Sequence, residues 1–314
     1  MAEVAGRSCP LEYRYGAAAL ARPATLQAET LWIAGGLYGN REALERLLEL
    51  YEGEPGSKAL VFNGDFHWFD AAREDFQRIQ QGVLAHPATR GNVETELALP
   101  HAGAGCGCAY PDWVGDAEVG RSNRILERLR GTAAGAPAAV QQLGELPMTL
   151  VAEVGSARIG IVHGDADSLA GWGFSQQRLA TASGWSAARA AFDAAGVRVF
   201  ASSHTCLPVL QAIDEARVVV NNGAAGMPNF TGTQFGVATR ISLCPRADAL
   251  YRLRCGPLEV EAHAIAYDAA GWRARFLESW PEGSDAHASY FSRIANGPRY
   301  SIDSAFRPAA RRAA

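Results

Sequence analysis

The sequence is short of lysine, of cysteine and of long apolar runs, and each shortage removes a class of protein. Its 314 residues carry 29 lysines and arginines against 33 acidic residues, for a net charge of −4 and a pI of about 6.0. There is no clustered basic domain of the kind that tracks a phosphate backbone, so no nucleic-acid footprint is expected. High alanine and arginine with little lysine reads as coding bias and carries no functional weight. Six cysteines in a chain of this length do not make a disulfide scaffold. No run approaches a membrane span and the N-terminus has no apolar core of signal-peptide length, so the expected location is cytoplasmic, away from membranes. The remaining composition, 48% hydrophobic and 20% charged, is that of a globular protein with length for one large α/β domain or two small ones.

The stretch that organises the chain is V-F-N-G-D-F-H-W-F-D, residues 61–70. A short apolar run from Ala59 to Phe62 stops at Asn63-Gly64-Asp65, the pattern of a buried parallel strand that delivers a carboxylate to the rim of a sheet. Three other strand-like runs end similarly. Ala88 to Arg90 leads into Gly91-Asn92, Ile159 to Val162 into His163-Gly164-Asp165, and Val197 to Ala201 into Ser202-Ser203-His204. Working residues in open α/β sheets lie just beyond the carboxyl ends of strands. An Asp, an Asn and two His there are oxygen and imidazole donors suited to Zn, Mn, Fe or Ni.

This order of G-D, G-N, H-G and a late S-H-T-C resembles the calcineurin-like metallophosphoesterases, closest to their small bacterial phosphodiesterase branch. I-A-G-G-L-Y-G-N-R-E-A-L-E-R-L-L matches the place of that family's first motif, and N-N-G-A-A-G-M-P-N-F resembles its closing glycine-rich loop. The likeness spans about residues 30–270. It implies a four-layer α-β-β-α sandwich of two mixed sheets flanked by helices. It also implies metal ligands at Asp65, Asn92, His163 and His204. The first motif departs from the family, with Gly36 and Tyr38 where the family has Asp and His. The last departs too, with Cys206 where the family has its second His. By the family's pattern, all three residues private to one metal are replaced while all four ligands of the other remain. The resemblance therefore implies one divalent transition metal per chain beside a remodelled second site.

Around these motifs, residues 1–30 read as an irregular leader. Leu31 to Ala34 is a strand, and Asn40 fits the N-cap of a helix with Ala43, Leu44, Leu47 and Leu48 on one face. Gly39 and Asn40 at that helix start, with Arg90, are candidate phosphate contacts; Gly36 equally suits a tight turn. Asp70 to Leu84 is helical by period, with Phe76, Ile79 and Val83 inward. The segment 94–147 reads as an insertion: a glycine- and cysteine-rich loop over the site, a helix from Asp116 to about Arg130, and a linker from Gly131 to Ala138. Met148 to Val154 and Ala157 to Val162 form a hairpin about Gly155-Ser156. A helix from Trp185 to Ala195 ends at Gly196. Runs at 197–201, 208–213 and 216–221 suggest a second, mostly antiparallel sheet, with more strand at Gly236 to Leu243 and Leu258 to Ala266. Ala269 to Trp280 is helical. The domain proper spans 31–280, and 281–314 is a helical, polar tail.

Several residues carry two readings each. Tyr38 is either a ring filling space or a phenol that hydrogen-bonds a phosphate or a water; its ordinary pKa near 10 makes it a poor base. His67 sits on the face of Asp65 if the chain is extended there, as a candidate general acid or replacement ligand, but not if it lies in a loop. Cys206 is a soft ligand or a small buried hydrophobe. Cys106 and Cys108 form a C-x-C that packs a loop, forms a disulfide or joins Cys206 in a thiophilic site. Glu94, Glu96 and Asp165 suit supporting roles beside ligands. The expected function is a metal-dependent phosphoesterase acting on a small phosphorylated molecule, a phosphodiester or nucleotide-like compound. The competing readings are a non-hydrolytic binding protein and a rebuilt cysteine-containing metal site.

Overall fold

The computed structural model describes residues 5–308. Of the expected leader and tail, residues 1–4 and 309–314 lie outside the described residues.

In chain order the elements are β1 (Leu26–Ala28), β2 (Thr30–Ala34), α1 (Arg41–Glu52), β3 (Lys58–Asn63), α2 (Arg73–Leu84), β4 (Ala88–Thr89), α3 (Asn92–Ala98), α4 (Asp116–Ala133) and α5 (Pro137–Glu145). They continue with β5 (Thr149–Val154), β6 (Ala157–Val162), α6 (Ala182–Ala195), β7 (Val199–Ser202), β8 (Val209–Ala212), β9 (Val218–Asn221), β10 (Gly236–Ser242), β11 (Tyr251–Cys255) and β12 (Leu258–Ile265). The chain then forms α7 (Ala269–Ser279), α8 (Asp285–Asn296), α9 (Ile302–Ala305) and β13 (Phe306–Arg307).

One sheet has the order β11-β12-β10-β2-β3-β4, the other β1-β5-β6-β7-β9-β8-β13. Side-chain alternation along β2 explains how they stack. Leu31 and Ile33 point between the sheets and pack with Ile159, Ile161, Val199 and Val220. Trp32 and Ala34 point outward, under Leu44 and Leu47 of α1. The second sheet alternates likewise: Phe200 and Val219 face α6 through Ala188 and Phe192. The result is a four-layer α-β-β-α sandwich of two mixed sheets. Burial of each large apolar side chain contributes about 1.5–3 kcal/mol.

Local signals account for two of the helix ends. Asn40 caps α1, its Oδ1 accepting from the Ala43 amide at 2.9 Å. Gly196 ends α6 in the left-handed region.

The structure corrects four expectations. The second sheet is mixed, with β1-β5, β6-β7, β7-β9 and β8-β13 parallel and only β5-β6 and β8-β9 antiparallel. The stretch after Gly91 is the helix α3, because the Glu94 carboxylate turns back to accept the Gly91 amide. No linker runs from 131 to 138: α4 continues to Ala133 and Pro137 opens α5, where its missing N–H is no loss. Finally, α8 packs on the body of the fold, with Tyr290 and Phe291 against the outer core, and β13 pairs with β8 as an edge strand.

β2, β3 and β4 run parallel in one sheet, and β6 and β7 run parallel in the other. The residues that follow their carboxyl ends meet at a single cleft.

Candidate metal centre

Asn63, the last residue of β3, ties the two sheets together at that cleft. It is fully buried. Its Nδ2 donates to the Val162 carbonyl at 2.8 Å and the Ser203 hydroxyl at 2.9 Å, and its Oδ1 accepts from Thr89 Oγ1. Its backbone carbonyl lies 2.8 Å from Nδ1 of His163. Asp65 follows with φ of +54°, an unfavourable conformation for a residue with a side chain. The Glu94 carboxylate holds it there by accepting the amides of Asp65, Phe66, His67 and Gly91.

These supports aim four acceptor atoms at one point. His163 Nδ1 faces the Asn63 carbonyl, so the neutral ring carries its proton on Nδ1 and leaves Nε2 bare. That Nε2 is 3.3 Å from each of Asp65 Oδ2, Asn92 Oδ1 and His204 Nδ1. His204 Nε2 donates to the Cys108 carbonyl at 3.0 Å, so its Nδ1 is bare as well. The Asn92 amide nitrogen donates to the Cys106 carbonyl at 2.9 Å, which turns its oxygen inward. Ligand atoms of Asp65, His163 and His204 all lie within 4.8 Å of one another. Acceptors without a donor between them repel in a buried site unless a cation lies among them. Separations of 3.3 Å also suit neighbouring ligands on a transition-metal ion, since bonds of about 2.0–2.1 Å in a tetrahedron give edges of roughly 3.3 Å. The donor set and its spacing thus fit a divalent cation.

The electrostatics agree. Burial alone would raise the Asp65 carboxyl, but the imidazoles of His163 and His204 hold it below its ordinary value. Burial opposes a charged His163, yet the Asp65 carboxylate raises it overall. His204 is pushed down to about 4 by burial and by His163. A proton on His163 and a metal ion are therefore alternative positive charges beside the Asp65 carboxylate.

Above it is a cavity of about 70 Å³, bordered by Asp65, Asn92, His204, Tyr38 and Cys206, with Trp68, Tyr110, Trp172 and Tyr290 as aromatic walls. Among the described residues, no lysine or arginine lines it. On the side opposite the acceptors, the Tyr38 hydroxyl lies 2.8 Å from Cys206 Sγ. Tyr38 and Cys206 both take positive φ, +53° and +61°. Burial, with Cys206 and Asp65 alongside, pushes the Tyr38 phenol well above its ordinary value, and burial also raises the Cys206 thiol. The Tyr38 ring folds back over Gly36: a Cβ on Gly36 would fall 2.2 Å from the ring. Arg293 of α8 secures the Cys206 turn by donating to its carbonyl at 2.9 Å.

Of the residues singled out from sequence, Tyr38, Asp65, Asn92, His163, His204, Cys206 and Cys108 meet here. His67 does not. The chain at 65–67 is a loop, and the His67 ring turns away to stack on Phe76, between Asp70 and Gln80. Gly39 and Asn40 are also diverted, because the Gly39 amide donates to Phe66 and the Asn40 side chain is spent on Ala43 and Gly226. Arg90 points to the end of α5 and donates to the Gly144 carbonyl. Cys106 and Cys108 are joined in a disulfide, so neither offers a thiolate to a soft metal. Glu96 braces Tyr13, His101 and Arg130, and Asp165 holds the 165–173 turn. Sequence reasoning missed Asn63, which stood unremarked in N-G-D, and the distant Tyr290 and Arg293, for which the sequence has no signal.

Neither a family model nor a curated protein matches the sequence. Solved structures do. A metallophosphoesterase from Sphaerobacter thermophilus is 17% identical, with a TM-score of 0.55 over 86% of this chain and 100% of its own. The fold is that of a metallophosphoesterase. A hypothetical protein from Pyrococcus horikoshii is also 17% identical, with a TM-score of 0.57 over 88% of this chain and 100% of its own. The metallophosphoesterase fold here brings Asp65, His163 and His204 together as a candidate metal site. No helix among the described residues is long and apolar enough to cross a membrane.

Proposed function

We propose that the protein is a phosphoesterase that works with one divalent transition-metal ion, held by Asp65, Asn92, His163 and His204, and that it acts on a small phosphodiester or nucleotide-like molecule. The observation that carries this reading is the convergence of the Asp65, Asn92, His163 and His204 ligand atoms, with His163 Nε2 3.3 Å from each of the other three. A divalent ion there supplies polarisation of a phosphoryl oxygen and acidification of a water. Among the described residues, Asp65 contributes the one negative charge lining the cavity, and no basic side chain lines it. One divalent ion beside one carboxylate leaves a single net positive charge, which matches a monoanionic diester better than a dianionic monoester. Tyr38 and Cys206 fill the second half of the pocket as neutral groups hydrogen-bonded to each other. The symmetric two-ion clamp on attacking and departing oxygens is missing, so turnover is slow on generic aryl phosphates.

The test is hydrolysis of bis(p-nitrophenyl) phosphate and p-nitrophenyl phosphate by Mn²⁺-loaded protein. Slow, Mn²⁺-dependent cleavage that favours the diester and is lost in Asp65→Ala supports the reading. Fast turnover of both would contradict the single-ion form. One observation favours a second reading, a binding protein without hydrolysis: His67, the imidazole nearest Asp65 in sequence, is buried against Asp70 and Gln80 and is no proton donor to the pocket. Inactivity on all phosphate esters with the metal bound would select that alternative.

A further inference from the structure

Two of the four converging side chains owe their orientation to one short loop. Asn92 presents its oxygen because its amide nitrogen is held by the Cys106 carbonyl, and His204 presents Nδ1 because its Nε2 is held by the Cys108 carbonyl. Trp172 Nε1 donates to the same Cys108 carbonyl at 3.1 Å. The loop lies between α3 and α4, and Asn123 of α4 holds it by accepting the Cys106 amide at 2.9 Å. Gly105, Gly107 and Ala109 all take positive φ, at +58°, +70° and +47°. Besides the Gly107 amide donating to the Ala104 carbonyl, the Cys106–Cys108 disulfide, buried beside the cavity, ties the two carbonyl-bearing residues to each other. The loop sits hard against its neighbours: a Cβ on Gly107 would lie 2.4 Å from the Tyr13 hydroxyl and 3.2 Å from Cβ of Asn92.

We propose that the Cys106–Cys108 disulfide is a positioning element of the metal site: closed, it holds the carbonyls that orient Asn92 and His204, and opened by a dithiol it releases them and weakens cation binding. The inference rests on the metal reading of that site. Reduction breaks the Sγ–Sγ bond. An external dithiol supplies two electrons and two protons and is itself oxidised to its disulfide, and Cys106 and Cys108 become thiols. The two sulfurs are then no longer tied to each other. Tyr13 and Asn92 block movement toward the site, so the loop yields outward and carries both carbonyls with it. Once its carbonyl partner is lost, His204 is no longer held in the tautomer that bares Nδ1, and the Asn92 amide is free to flip.

The test uses the full chain and Mn²⁺, a hard ion that reports on the Asp, Asn and His donors rather than on liberated thiols. Mn²⁺ affinity is measured by calorimetry on oxidised protein, on protein reduced with a dithiol and freed of reagent under nitrogen, and on the Cys106→Ser/Cys108→Ser variant. Thiol titration checks each state and melting checks that each is folded. Loss of a ligand's supporting hydrogen-bond partner typically weakens metal binding about 10–100-fold, and that range is expected in both the reduced protein and the variant. Equal affinity in the oxidised and reduced forms overturns the inference and leaves the metal reading standing. No Mn²⁺ binding in any form overturns both. If the double variant does not fold, the reduced wild-type protein decides the matter alone.

Discussion

On one side of the pocket, ligand atoms of Asp65, Asn92, His163 and His204 converge, with His163 Nε2 3.3 Å from each of the other three. On the other, the Tyr38 hydroxyl and the Cys206 thiol lie 2.8 Å apart and satisfy each other. The first side offers a ligand set to a cation. The second needs nothing added. Gly36 shows that the second side is a built arrangement: the Tyr38 ring occupies the space a side chain at Gly36 would take, so the two residues are matched to each other. A pocket that had merely lost ligands would be left with a void or an orphaned polar group, and neither occurs between Tyr38, Gly36 and Cys206.

The largest effect is expected on the acceptor side. Asp65→Ala removes the only carboxylate among the four, and Mn²⁺ affinity measured by calorimetry should fall by about 100-fold or more, beyond what loss of a supporting partner causes. Retained binding would mean that the cation, if any, lies elsewhere. Next is Gly36→Asp. Its new side chain meets the Tyr38 ring, and denaturant titration should show a loss of about 1–3 kcal/mol. Pairing it with Tyr38→His should recover much of that loss. With Cys206→His added, the variant should take up a second ion. A triple variant that still binds one ion would mean that the two sides differ by more than these three positions.

Asn63→Ala cuts the strut between the sheets while leaving the backbone carbonyl that orients His163. About 2–3 kcal/mol of stability should be lost, with a smaller change in Mn²⁺ affinity. The smallest effect separates acid loss of the fold from acid loss of the site. At the far rim, Arg240 is buried between Glu54 and Glu261, with contacts of 2.7 and 2.8 Å. Burial would raise both carboxyls, but Arg240 and other hydrogen-bond partners hold each below its ordinary value. Carboxyls depressed in the folded state contribute stability above their unfolded value of 4.5 and lose it as pH falls through the folded value. Melting temperature should therefore drop below about pH 4.5, and the drop should be shallower in Glu54→Gln.

Much of this site was legible before any coordinates, for a physical reason. Asp65, Asn92, His163 and His204 each follow a short apolar run at a strand's carboxyl end, and parallel strands carry such residues to one rim. The four-layer sandwich followed from the resemblance more than from periodicity. What was illegible depended on partners distant in sequence. His67 looked close to Asp65 in spacing, but a loop with Asp65 at positive φ sends its ring into the core. Asn40 and Arg90 looked free, but Gly226 and Gly144 claim them. α3 looked like loop because its stabilising contact, Glu94 to Gly91, is a side chain accepting from a turn rather than an apolar period. Parallel pairing in the second sheet could not be read from strands of four buried residues, whose composition is the same in either direction.

Metal content is the measurement on which the single-ion reading stands or falls. Mass spectrometry of the native protein and elemental analysis after reconstitution with Mn²⁺, Zn²⁺, Fe²⁺ and Ni²⁺ should give one ion per chain, and none in His163→Ala. Two ions per chain in the wild-type protein would show that Tyr38 and Cys206 do not close the second side. No ion under any of these conditions would contradict a metal site at Asp65, Asn92, His163 and His204 altogether.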